Sequence, residues 1–148
     1  MYTIEEFEKY KVKVLKYILY KKRSENEIRR KFGKEIEENL LEDIIEYLKE
    51  AGYINDKEYI SKTVNNFIAL KNLSNKEIEY KLYSKVLKKE DIENYMYENK
   101  DELRQYEINS IRNIFIKKNT SLEREEIVKY LLKKGYQKDN INIALEKF

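Results

Sequence analysis

The 148-residue chain contains no cysteine and no histidine. Without thiols it can form no disulfide, thiolate nucleophile or thiolate metal site. Without imidazole the commonest general base and the commonest transition-metal ligand are both missing. Catalysis would fall to Asp, Glu, Lys, Tyr or Ser, and the sequence has no P-loop, no GxGxxG and no serine elbow to organise it; the chain is expected not to be an enzyme and to need no cofactor. Proline is absent and glycine occurs only three times, so each glycine asks for a reason. No run approaches the roughly 18 apolar residues a membrane span needs. The opening MYTIEEFEKYKVKVLKYILYKK carries acids where a secretory signal has a basic start. The expected location is the cytoplasm, with no membrane contact.

What is present is 41% hydrophobic, 13% aromatic and 40% charged, too apolar and aromatic for a disordered chain. A chain this long can bury roughly 68–70% of the surface its unfolded form exposes, enough for a real core. The net charge of +3 is unevenly spread: residues 1–35 hold 11 basic and 6 acidic side chains, residues 36–70 hold 3 and 8. Such asymmetry suits a face turned toward a polyanion, and equally an ordinary solvated helix. Carboxylates such as Asp43 with Glu46, or Glu90, Asp91 and Glu93, read as solvated helix faces. The 14 tyrosines read mainly as core filling at helical spacing.

Apolar residues recur with helical period almost throughout, which predicts an all-α fold. The first helix is expected over about Thr3 to Lys22, with Ile4, Phe7, Val14 and Ile18 facing a core, flanked by Tyr10, Leu15 and Leu19. Ser24 with Glu27 forms a capping box that opens a short helix to about Lys34, burying Ile28 and Phe32. Ile36, Leu40, Leu41, Ile44, Ile45 and Leu48 mark a third helix that stops at Gly52. The pattern then repeats. Lys57 to Leu70 is expected to bury Ile60, Val64, Phe67 and Ile68; Ser74 with Glu77 caps a helix burying Ile78 and Leu82, and Ile92 and Met96 lie on the next. Asp101 to Lys118 points Leu103, Ile111, Ile114 and Phe115 inward. Thr120 with Glu123 is read as a third capping box, before a helix with Ile127 and Leu131 that ends at Gly135; Ile141 and Leu145 follow.

Ile28, Ile78 and Ile127 lie 50 and 49 residues apart, as do Phe32, Leu82 and Leu131, and a glutamate precedes each isoleucine. Three tandem three-helix repeats, 1–54, 55–100 and 101–148, explain this register best, and repeats of this size must stack to bury their apolar faces. The expected shape is an elongated, curved array.

Basic residues beside aromatics mark the candidate interaction surface. LYKKRSENEIRRKFGK supplies Lys22, Arg23, Arg29, Arg30, Lys31 and Lys34, with Arg30 and Lys34 four apart on one side. The middle repeat supplies Lys71, Lys81, Lys85, Lys88 and Lys89, and the third Lys117, Lys118, Lys133 and Lys134. At matching positions of successive repeats they could track a phosphate backbone or an acidic protein groove; they also serve plain solubility. The short capped helix resembles part of a helix-turn-helix, though arginine is scarce and the motif occurs three times.

Two strings carry a family resemblance. Glu27-Ile28-Arg29-Arg30-Lys31-Phe32 is followed by Leu48-Lys49-Glu50-Ala51-Gly52-Tyr53-Ile54-Asn55-Asp56-Lys57-Glu58-Tyr59. Later, Ile127-Val128-Lys129-Tyr130-Leu131-Leu132-Lys133-Lys134-Gly135-Tyr136 precedes Ile141 to Leu145. In order and spacing the chain resembles the RecX family of regulators of the RecA recombinase, most specifically at Gly-Tyr-Ile-Asn-Asp. It departs at Lys71-Asn72-Leu73-Ser74-Asn75-Lys76, where the family often has glycine and several arginines, and at Lys85-Val86-Leu87, which lacks the Gly-aromatic pair. The resemblance implies tandem three-helix repeats and a monomer that binds in the groove of the RecA–single-stranded-DNA filament. It implies inhibition of strand exchange, ATP hydrolysis and co-protease activity, within recombinational DNA repair and the SOS response, and no cofactor. The alternative is a helical nucleic-acid-binding module acting on DNA directly. Physically, Gly52 is expected to end one helix in the left-handed conformation, Ile54 to anchor the joint, and Asn55 or Asp56 to cap the next helix.

Overall fold

A computed structural model describes residues 1–70 and 72–148. All regular structure among them is α-helical: α1 Ile4–Tyr20, α2 Glu25–Phe32, α3 Glu38–Glu50, α4 Asp56–Leu70, α5 Asn75–Tyr83, α6 Lys89–Glu98, α7 Lys100–Lys118, α8 Arg124–Lys134 and α9 Lys138–Leu145. Each of the long helices α1, α4 and α7 is followed by two shorter ones, an order compatible with tandem three-helix repeats. No helix among the described residues is long and apolar enough to cross a membrane.

The chain forms two compact units: residues 1–60 with 86–91, and residues 61–85 with 92–148. In the first, Val14 and Ile18 of α1 and Ile28 and Phe32 of α2 pack on Leu40, Leu41, Ile44, Ile45 and Leu48 of α3, closed by Ile36 and Ile54. In the second, Ile108, Ile111 and Phe115 of α7 meet Ile127 and Leu131 of α8 and Ile141, Ala144 and Leu145 of α9, with Tyr136 between. The register residues Ile28, Ile78 and Ile127 are all fully buried. Each such side chain contributes about 1.5–3 kcal/mol relative to leaving it in water.

Helix ends follow local chemistry. The Ser24/Glu27 and Ser74/Glu77 capping boxes both form, each serine oxygen accepting the N3 amide and each glutamate accepting the serine amide. At Gly52 the Tyr53 amide donates to the Leu48 carbonyl at 2.9 Å and the Gly52 amide to Lys49 at 3.0 Å. That is a Schellman motif, and it requires the φ of +84° that Gly52 adopts without strain. Asn55 caps α4 by accepting the Glu58 amide at 3.0 Å.

Several expectations need correction. Thr120 and Glu123 form no capping box: Glu123 itself is the N-cap of α8, without a side-chain bond, and Thr120 bonds back to the Lys117 carbonyl. The register explains this. Four residues before Ile28 and Ile78 stand Ser24 and Ser74, and four before Ile127 stands Glu123. Ile4 is 83% exposed and Leu19 66%, rather than facing the core. Ile4 overhangs the first turn, and Leu19 lies about 100° round the helix from buried Ile18. Phe67, Ile68 and Ile114 are half-buried, at the margins of their stripes. The tyrosines are mostly not core: only Tyr106 and Tyr136 are buried, while Tyr20, Tyr47, Tyr53, Tyr80, Tyr83, Tyr97 and Tyr130 are exposed.

Candidate interaction surface

The helices that carry the candidate surface are held by bonds at their N-termini. The Ser24 hydroxyl donates to the Val86 carbonyl, and the Glu25 amide donates to Asp56 Oδ1 at 2.9 Å. The same device recurs at α5, where the Ser74 hydroxyl donates to the Lys134 carbonyl at 2.9 Å and the Asn75 amide to Glu107 Oε2 at 2.9 Å. In sequence the serine bonds span 62 and 60 residues, and the carboxylate bonds span 31 and 32. One device, used at two successive places, positions α2 and α5 by their N-termini, where unsatisfied amides and the helix dipole favour a carboxylate.

Glu107 goes further. It is 0% exposed, and its other oxygen accepts the Gln137 amide at 2.7 Å and Asn140 Nδ2 at 3.4 Å. One buried carboxylate thus joins the starts of α5 and α9. Beside it, Ser110 and Tyr136 share a 2.6 Å hydroxyl bond, and burial pushes the Tyr136 hydroxyl far above its ordinary range. Sequence reasoning missed Glu107, although its position was a signal: Leu103, Glu107, Ile111 and Phe115 are four apart on one buried stripe.

In the first unit the matching position to half-buried Asn75 is Glu25, which is buried. Burial would raise its carboxyl, but hydrogen bonds from Lys49, Lys88 and Arg29 outweigh that and bring it down to about 2. Asp56, by contrast, is raised by burial, against the hydrogen bond from the Glu25 amide and reinforced by the charges of Glu25 and Asp91. Asp56 therefore caps α2, while its neighbour Asn55 caps α4.

These networks sort the sequence-predicted cations. Lys22 pairs with Glu58 at 3.1 Å. Arg23 lies 4.0 Å from the Tyr17 ring centroid and 3.6 Å from Glu27. Arg29 binds Glu42 through both terminal nitrogens and Glu25 through Nε at 3.1 Å, which raises its pKa. Lys88 pairs with Glu25 at 3.1 Å, and Lys134 donates to the Asn72 carbonyl at 2.8 Å and pairs with Glu77 at 3.4 Å. Arg112 donates to the Ala144 carbonyl at the end of α9, and Arg124 to the Leu145 and Phe148 carbonyls. Lys71 lies outside the described residues.

What remains outward-facing is a smaller set. Arg30 and Lys34 are exposed with no ion-pair partner among the described residues, Arg30 on α2 and Lys34 in the turn after it rather than on the helix. Lys31 is exposed, 5.9 Å from the Tyr17 ring that Arg23 covers. In the second unit Lys81, Lys117 and Lys133 are exposed, Lys85 is half-buried, and Lys118 lies 4.2 Å from the Tyr130 ring; Lys89, in the first unit, is also exposed. No group of three acids stands where it could hold a metal ion, among the described residues. The arrangement can present positive charge and aromatic edges to an anionic partner.

An all-helical fold in which one device clamps the starts of α2 and α5 is compatible with tandem helical repeats. No family model matches the chain. The regulatory protein RecX of Staphylococcus carnosus (strain TM300) is 31% identical over 136 residues, 89% of this chain and 51% of that protein. RecX of Staphylococcus haemolyticus (strain JCSC1435) is 25% identical over 98% of this chain and 57% of its own length. A crystal structure of RecX from Lactobacillus salivarius superimposes with a TM-score of 0.74, at 21% identity, covering 98% of this chain and 97% of that one. A second RecX crystal structure gives 0.67 at 20% identity, over 95% and 73%. The chain is thus similar in sequence to proteins named RecX and shares the fold of RecX crystal structures. It spans about half the length of the curated relatives named here.

Proposed function

We propose that the chain regulates the RecA recombinase, binding in the groove of the RecA–single-stranded-DNA filament and inhibiting its recombinase, ATPase and co-protease activities. It would do so as a monomer in the cytoplasm, through tandem repeats 1–54, 55–100 and 101–148. The observation that carries this reading is the kinship with proteins named regulatory protein RecX, over nearly the whole chain. The recurring clamp at Ser24 and Ser74 supports tandem repeats, because it appears at the same step of successive helix triplets. Arg30, Lys31 and Lys34 are the contacts favoured in the first repeat, since their charge is not consumed by ion pairs within the fold. Arg29 serves the Glu25 network instead.

The test is RecA-dependent ATP hydrolysis on single-stranded DNA. Substoichiometric chain should lower the rate, and charge reversal at Arg30, Lys31 and Lys34 together should restore most of it while helicity is kept. Undiminished inhibition by that variant would place the contact elsewhere. Direct action on DNA is the competing reading: it requires equal, steeply salt-dependent binding to bare DNA without RecA. Of the six arginines, Arg23, Arg29, Arg112 and Arg124 are held by intramolecular contacts, which weighs against it.

A further inference from the structure

A second surface lies within the second unit. The end of α4, the last turns of α7, the turn that follows it and the outer side of α8 enclose an open groove of about 880 Å³. Its apolar lining comes from Leu70, Ile114, Ile116, Leu122 and Tyr130. Leu70 is 65% exposed and Ile116 58%, so two large aliphatic side chains of the lining stand in water. Its charged lining is Lys117, Lys118 and Lys134, and no aspartate or glutamate lines it among the described residues. Asn72, Asn113 and Ser121 add neutral polar groups, so the groove is of mixed lining with lysine as its charged residue type among the described residues.

Lys117 and Lys118 in the last turn of α7 also answer the helix dipole. That role explains their charge but not the exposed aliphatic floor beside them. Lys134 is partly spent on the Asn72 carbonyl and Glu77, so Lys117 and Lys118 carry the groove's outward charge.

We propose that this groove docks an acidic protein segment that inserts aliphatic side chains, an amphipathic helix or short strand with carboxylates along its edges. Charge complementarity selects the carboxylates, and the aliphatic floor selects the anchors. A nucleic acid fits less well. Bases need aromatic platforms, the one ring here is Tyr130 with Lys118 already 4.2 Å from its centre, and phosphates would be desolvated against Leu70 and Ile116. The inference stands apart from RecA, and its test needs no RecA.

The probe is a fluorescein-labelled helical peptide built of glutamate and leucine, titrated against the full chain by fluorescence anisotropy. Comparators replace every glutamate with glutamine, or every leucine with alanine, and a labelled oligothymidine of similar length forms the nucleic-acid arm. The acidic, leucine-bearing peptide should bind at least about tenfold tighter than either altered peptide. Lys117→Glu with Lys118→Glu should cost about tenfold, and Ile116→Ser should cost a similar factor with circular dichroism unchanged. Backbone amide shifts in the NMR spectrum should map to residues 114–122 and 130–134. Equal binding of the glutamine peptide, indifference to both variants, or shifts outside that segment would overturn the proposal. So would oligothymidine binding the same residues more tightly than the peptide.

Discussion

Replacing Glu107 by glutamine tests the logic of the fold at its most concentrated point. The substitution keeps size and shape and changes only what the two oxygens can do. In the native chain one oxygen of the fully buried Glu107 accepts the Asn75 amide at 2.9 Å and the other the Gln137 amide at 2.7 Å. A glutamine can satisfy one of those amides; its NH2 group then points at the other, donor against donor. One charge-assisted bond is lost, an orphaned buried amide costs about 1–3 kcal/mol, and the interaction of a negative charge with two helix N-termini contributes about 0.3–1 kcal/mol at each. The sum is a loss of about 2–4 kcal/mol, a large share of the 5–15 kcal/mol by which domains are stable. Urea unfolding followed at 222 nm should show the midpoint fall by about 1–2 M, taking a slope of about 2 kcal/mol per molar. Hydrogen exchange should speed up at Asn75 and Gln137 while the Glu25 amide, bonded to Asp56, keeps its protection. A midpoint within about 0.3 M of the parent, with both amides still protected, would refute the reasoning.

Three further outcomes follow from the same bonds. Glu25 has a folded-state pKa of about 2 against an ordinary 4.5, so its contribution is fully present above pH 4.5 and is lost as pH falls toward 2. The shift corresponds to about 3 kcal/mol, which screening of its half-exposed partners Lys49 and Lys88 reduces to about 1–2 kcal/mol; Glu25→Gln should lose that much at pH 7 and show a flatter stability profile between pH 5 and pH 2 in urea titrations. Gly52→Ala should cost about 1 kcal/mol, since nothing lies within 4 Å of the new methyl group and only its φ of +84° resists. Gly135→Ala should cost at least about twice as much in thermal unfolding, because its φ is +104° and the methyl would stand 3.1 Å from Ser74 Oγ and Lys76 Cβ; equal losses at the two glycines would contradict the clamp at α5.

Much of the fold was legible because its signals are local. Isoleucines at 28, 78 and 127, serines with glutamates three places on, and glycines at 52 and 135 act within one helical turn of themselves. The third cap was misread because Thr120 and Glu123 satisfy the same local pattern as Ser24 and Glu27, and only the register from Ile127 distinguishes them. The tyrosines misled because helical spacing does not say which side of a ring faces water. The candidate surface was the least legible part. Whether a cation faces outward depends on acceptors far away in sequence, such as the Glu25 carboxylate, which meets Lys88 across 63 residues, or the Asn72 backbone carbonyl, which holds Lys134 across 62. The family-signature string proves to be architecture throughout: Gly52 turns the chain, Ile54 enters the core, Asn55 starts α4, and Asp56 reaches back to hold α2.

The measurement that bears most directly on function is the steady-state rate of RecA ATP hydrolysis on single-stranded DNA as this chain is added. A fall in rate at substoichiometric chain, relieved by reversing charge at Arg30, Lys31 and Lys34, is the expected result. A rate unchanged when the chain equals RecA in concentration would contradict the proposed role.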